Sequence, residues 1–155
     1  MNKKFRLIIV ALVLVVAFSF AGCSSASKGK EIVSTKNAPG AIGPYSQACV
    51  NGNMVFCSGQ IAIDPAAGNL INGDITAQTR QVFKNIEAIL KESGCTMDDV
   101  MKTTVFLKDI NDFNAMNEEY AHHFTEGSYP ARSAVEVANL PKGALVEIEV
   151  TAIKK

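Results

Sequence analysis

From Leu145 to Ile153 the chain alternates with a period of two. Val146, Ile148, Val150 and Ala152 share one parity, and Glu147, Glu149 and Thr151 share the other. Successive side chains of a strand point to opposite faces, so this run specifies a sheet with one apolar and one polar face. An apolar sheet face must be buried against another layer. The run before it, Ser133 to Ala138, alternates as well, with Val135 and Val137 opposed to Arg132, Ala134 and Glu136. Matching like with like puts Val135 and Val137 beside Val146 and Ile148. It puts Ala134 and Glu136 on the polar face with Glu147 and Glu149. That face is rich in short side chains, and something other than free solvent must lie against it.

Two helices supply the cover for the apolar face. After Asp74, an N-cap residue, Ile75, Thr79, Val82, Phe83, Ile86, Ile89 and Leu90 recur at helical spacing until Gly94 stops the run. A second helix follows Asn111 or Asp112, with Phe113, Met116, Tyr120 and Phe124 on one face. Val50 to Ile63 reads as a hairpin around Asn51-Gly52-Asn53, and Met101 to Leu107 as another strand. The periodicity therefore predicts an α+β sandwich, a mixed sheet with both helices on one face. Residues 31–155 suit one domain with a single core.

The first residues do not belong to that domain. Lys3, Lys4 and Arg6 precede an apolar run, Leu7 to Ala21, that is too short and wrongly flanked for a membrane span. It closes on Phe20-Ala21-Gly22-Cys23, which resembles the lipobox of bacterial lipoproteins although Phe20 stands where leucine is usual. The resemblance implies a signal peptide over residues 1–22, lipidation at Cys23, a flexible tether over 23–30 and the domain over 31–155. The protein would then be anchored to the extracytoplasmic face of the cell membrane, since a multiply acylated terminus holds where one chain is marginal. Cleavage to a soluble secreted form and an uncleaved N-terminal anchor are the other two readings.

Formal charge is zero, but three of the fifteen basic residues are Lys3, Lys4 and Arg6, which leaves the remainder slightly acidic. With no basic stripe, nucleic acid is excluded as a partner, because its recognition needs phosphate-neutralising Lys and Arg. Apart from Cys23, the cysteines are Cys49, Cys57 and Cys95. Three cannot all pair within one chain and none has metal-ligand spacing, so they read as reduced, mostly buried apolar residues.

The chemistry concentrates near the C-terminus. Arg132 follows Tyr129-Pro130-Ala131 at the entrance of one strand, and Glu147 opens the alternating strand that follows it. An arginine offers paired N–H donors to a carboxylate, which lysine cannot match. A glutamate on a neighbouring strand can orient or deprotonate a water. Together they suggest a site that binds a small carboxylate and adds water beside it. Taken singly, each is equally well a solvated strand charge. His122 and His123, adjacent on a helix and so pointing different ways, read as surface residues.

Pro130-Ala131-Arg132-Ser133, Val135-Glu136-Val137-Ala138 and Leu140-Pro141-Lys142-Gly143 resemble the signature of the RidA (YjgF) family, the 2-iminobutanoate/2-iminopropanoate deaminases. Ala41-Ile42-Gly43-Pro44-Tyr45-Ser46-Gln47, Cys57-Ser58-Gly59-Gln60-Ile61 and Lys102 to Phe113 agree in the same order. The resemblance implies a chorismate-mutase-like fold whose sheets close into a trimeric barrel, with sites in the clefts between subunits. It implies that Arg132 binds the substrate carboxylate, that Glu147 orients water, and that Tyr45, Ser58 and Gly59 line the cleft. From the residues alone, Tyr45 is also a packed aromatic and Ser58 a strand hydroxyl bonded to a carbonyl. Ala134 replaces a frequent cysteine whose backbone is the contributing group, so the substitution removes a thiol and keeps that role.

The mechanism implied needs neither cofactor nor metal. Arg132 fixes a 2-imino acid, water held by Glu147 attacks the C=N carbon, and the carbinolamine collapses to a 2-keto acid and ammonia. Since the enamines such enzymes clear arise in cytosol while this chain carries an export signal, two other readings stand beside it. One is a membrane-tethered binder of small carboxylates without turnover, and the other a holdase-like trimer.

Overall fold

The structure, a computed structural model, describes residues 29–155. The signal peptide, Cys23 and the start of the tether lie outside the described residues. Six strands form one sheet: β1 (Glu31–Val33), β2 (Ala48–Asn51), β3 (Met54–Gln60), β4 (Val100–Leu107), β5 (Ala131–Glu136) and β6 (Val146–Ile153). Their spatial order is β1-β2-β3-β6-β4-β5. Each neighbouring pair is antiparallel except β4 and β5. Two parallel strands need a crossover, and α2 (Phe113–Ala121) forms it; α1 (Ile75–Glu92) connects β3 to β4. The α+β sandwich of a mixed sheet under two helices is what the periodicity demands.

Local chemistry sets the element ends. Asn51 pairs with Met54, leaving a two-residue turn in which Gly52 has φ +61°, a conformation that costs glycine little. Asp74 Oδ1 accepts from the Ala77 N–H at 2.9 Å and starts α1. At its end Gly94 has φ +78°, and the Cys95 N–H reaches back to the Leu90 carbonyl at 2.8 Å. Between these caps Val82, Phe83, Ile86, Ile89 and Leu90 are fully buried against the sheet. Truncating Phe83 to alanine would cost about 3–5 kcal/mol, since no other side chain fills that volume.

α2 is shorter than its apolar spacing implies. Phe124 lies three residues past its end, yet its ring sits 5.7 Å from Phe83 and 4.9 Å from Tyr120. The same curl corrects the expectation for His123. Its ring stacks on Phe83 at 4.2 Å, with Nδ1 3.3 Å from Glu87 Oε1 and Nε2 3.3 Å from Glu119 Oε1. His123 is a packing residue between the helices; His122 is exposed as expected.

The assignment of faces needs a larger correction. β5 and β6 are not neighbours, because β4 lies between them. Val105 of β4 pairs with Ile148 on one side and with Ala134 on the other. Residues in register share a face, so Ala134, and with it Arg132 and Glu136, belongs to the helix-covered face of Val146, Ile148 and Val150. Val135, paired through Phe106 with Glu147, lies on the open face. Hydrophobicity alone misassigned β5 because an edge strand is only partly covered, and its parity is fixed by its ladder to β4. Consequently the open face is not merely polar. It carries Ile32, Met54, Phe56 and Val135, each 40–52% exposed.

Cys49, Cys57 and Cys95 are free thiols, with Cys57 and Cys95 buried. Burial, with a smaller contribution from Glu149, pushes the Cys57 thiol up to about 12, so it stays protonated and inert.

Candidate active site

β3 breaks register opposite Glu149, two residues along β6 from Glu147. Cys57 pairs with Val150 and Gln60 with Ile148, so Ser58 and Gly59 together oppose the single residue Glu149. Such a bulge bends the strand and re-aims its neighbours. The Glu147 side chain lies against Gly59: a Cβ there would collide with Oε1 and come within 2.9 Å of Cδ. Gly59 is thus a glycine because the carboxylate occupies the space a side chain would need. Half-buried in this position, Glu147 has its carboxyl raised above the usual range, first by desolvation and then by the charge of Glu149. A glutamate shifted this way is better matched to proton transfer near neutral pH.

Tyr45 approaches from the loop before β2. That loop is fastened by the buried Gln47, whose Nε2 donates to the carbonyls of Thr35, Ala38 and Pro39 at 3.0, 3.2 and 2.7 Å. The Tyr45 phenol oxygen accepts from the Ile42 N–H at 3.1 Å, which leaves its own proton to donate elsewhere. Ser58 Oγ donates to the Ser46 carbonyl at 2.7 Å, the strand-hydroxyl role, and keeps only acceptor capacity. Tyr45, Ser58, Gly59 and Glu147 line one cavity of about 310 Å³, closed on its apolar side by Ile42, Ile61 and Pro141.

Arg132 lies elsewhere. It projects from the helix-covered side of β5 over α2, its guanidinium carbon 4.5 Å from the Tyr120 ring centre and 5.7 Å from that of Phe113. The Tyr120 hydroxyl is within 2.8 Å of Thr103 Oγ1, which fixes this platform. Among the described residues neither Arg132 nor Glu147 is in an ion pair. Arg132 borders a separate open cavity of about 400 Å³ with Asn117, Tyr129 and Pro130. Asn117 Oδ1 is buried there without a hydrogen-bond partner among the described residues.

Ala134, half-buried, lines neither cavity. The Val137 N–H donates to the Leu107 carbonyl at 2.9 Å, so strand alternation turns the N–H groups of Val135 and Ser133 toward β4. Those of Arg132 and Ala134 face the free edge of the sheet. β5 therefore presents a guanidinium and, among the described residues, unpaired backbone donors together.

Of the six residues singled out from sequence, four share a cavity within one chain, while Arg132 and Ala134 stand at the sheet edge. Ile42, Ile61, Pro141, Asn117 and Tyr129 were not singled out. Four of them lie inside or beside the motifs that carried the resemblance. Asn117, three residues before Tyr120, was legible only from the helical spacing.

This combination of a six-stranded mixed sheet, two helices on one face and an unneutralised arginine and glutamate defines a class of small α+β domains. Residues 35–154 match the family described as Endoribonuclease L-PSP, and the chain belongs to this family, the RidA/YjgF proteins. A RutC family protein of Pyrococcus horikoshii is 57% identical over 126 residues, covering 81% of this chain and 99% of its own. The human protein named 2-iminobutanoate/2-iminopropanoate deaminase is 49% identical over 125 residues, covering 81% of this chain and 90% of its own. The solved YjgF gene product of E. coli superposes with a TM-score of 0.77 at 46% identity, covering 81% of this chain and 99% of its own.

Proposed function

We propose that this protein hydrolyses reactive 2-imino acids to 2-keto acids and ammonia, in a cleft formed between subunits of a homotrimer. The observation that carries the reading is the state of Arg132 and Glu147. Each is held in place, and among the described residues neither has an ion-pair partner. Such groups fit a ligand that brings a carboxylate and a reacting water. Relatives named deaminase at 46–49% identity support the same chemistry.

In this mechanism the Arg132 fork and the free N–H of Ala134 bind the substrate carboxylate. Glu147 takes a proton from water as its oxygen bonds to the C=N carbon, forming a carbinolamine. The proton it took goes to the nitrogen to complete the carbinolamine. Glu147 then takes the hydroxyl proton and hands it to the amino group as the C–N bond breaks, leaving a 2-keto acid and ammonia. Tyr45 donates its phenol hydrogen toward the water or the carboxylate. The imine is already electrophilic, so the protein contributes mainly position and desolvation. Because Arg132 and Glu147 lie on opposite faces of one sheet, the open edge of one subunit would supply the arginine and its neighbour the glutamate. The exposed Ile32, Phe56 and Val135 suit burial in such an assembly.

Residues 1–23 carry the further proposal that the trimer is lipid-anchored outside the cytoplasm. Metabolic lipid labelling should label the wild type and spare Cys23→Ala; equal labelling would remove the anchor. The activity is tested by generating iminopropanoate in the presence of the domain and following its loss. Faster loss than in buffer is expected. Binding of keto acid without turnover would instead mark a carboxylate binder.

A further inference from the structure

Gln60 has no part in the chemistry proposed above, yet it is one of the few buried polar side chains of the sheet. It ends β3, directly after the bulge. Its Nε2 donates to the Ser58 carbonyl at 3.1 Å and to the Gly59 carbonyl at 3.3 Å. One amide thus holds both carbonyls of the two bulge residues. Bulge residues are the part of a strand least held by its ladder. Here they are the floor on which the Glu147 carboxylate rests. On its other side Gln60 borders a space of about 20 Å³ with Pro39, Tyr45 and Gln47, large enough for roughly one water. Gln60 therefore stands between the bulge and the loop that carries Tyr45.

We propose that Gln60 is the positioning residue of this site: its amide fixes the Ser58–Gly59 bulge and, through Gly59, the place and dryness of the Glu147 carboxylate. Two donors are needed on one short stem, because two carbonyls converge there. A carboxylate would repel both, and an apolar side chain would leave both without a partner. The inference rests on reading Glu147 as the group that activates water, so its test includes a measurement independent of turnover.

Gln60→Met keeps the volume and removes the donors. Gln60→Asn keeps a donor on a shorter stem that cannot span both carbonyls. In Gln60→Met, kcat for iminopropanoate should fall by roughly 10- to 100-fold, the size expected when a reacting group is slightly misplaced. KM should stay within about twofold, since Arg132 is untouched. Gln60→Asn should fall between Gln60→Met and wild type. In parallel, carbon NMR follows the Glu147 carboxyl, assigned by its absence in Glu147→Gln. Its titration should move from above the usual carboxylate range toward that range in Gln60→Met, as water enters the loosened bulge. Wild-type kcat and wild-type titration in either folded variant overturn the proposal. If the wild type fails to turn over iminopropanoate, the deaminase reading falls and the titration alone decides: a shift supports the role of Gln60, and no shift overturns it.

Discussion

Arg132→Lys keeps the charge over the Tyr120 ring but loses the fork, and should cost about 2–3 kcal/mol of transition-state stabilisation, read as kcat/KM. Glu147→Gln keeps size and hydrogen bonding but cannot take a proton, so kcat should collapse while affinity for a keto-acid product survives. Equal activity of both variants and wild type would remove this site from the chemistry. Glu147 also makes a prediction about stability. Its carboxyl is raised by desolvation and by Glu149, so the folded state holds this proton more tightly than the unfolded chain does. The contribution favours folding below the unfolded value and is lost as pH rises through the folded value. Glu147→Gln should therefore melt above wild type at neutral pH, with the gap closing on acidification. A lower melting temperature at neutral pH would contradict the burial described. Sequence singled out Arg132 and Glu147 as chemistry-bearing types, but not the cause of Gly59, which only the approach of Glu147 explains.

At the scale of elements, the alternation of β6 and the spacing of α1 were fully legible, because each element buries one complete face. β5 was not. As an edge strand it is mostly exposed, so its valine at 135 carries no information about which face is covered. Register with β4 decides that, and register is a property of the whole sheet. Likewise the β3 bulge was hidden, since Ser58-Gly59 reads from sequence as ordinary strand. The free edge of β5 yields a test of Ala134. Its N–H is outside the ladder, so Ala134→Pro should fold, as proline is tolerated on strand edges, yet bind keto acid poorly. Ala134→Cys keeps the N–H and should match wild type. Loss in the cysteine variant together with full binding in the proline variant would show that the side chain, not the backbone, is what counts.

For the whole molecule, one chain holds the parts of the proposed site but does not bring them together. Arg132 and Ala134 stand at the sheet edge, and Tyr45, Ser58, Gly59 and Glu147 stand around the bulge of β3, three strands from that edge. The open face with Ile32, Met54, Phe56 and Val135 offers the apolar area for assembly. Light scattering on residues 29–155 should report three chains, and Val135→Glu, which places a charge on that face, should reduce the mass and the activity together. The most direct test mixes two inactive proteins. Arg132→Lys and Glu147→Gln chains are unfolded together and refolded in equal amounts. If each site takes Arg132 from one subunit and Glu147 from its neighbour, random mixing restores roughly a quarter of the wild-type sites. Deamination of iminopropanoate should return to about that fraction. A mixture that stays as inactive as its components, while reassembling into mixed trimers, would place both residues in one subunit's site and contradict the account.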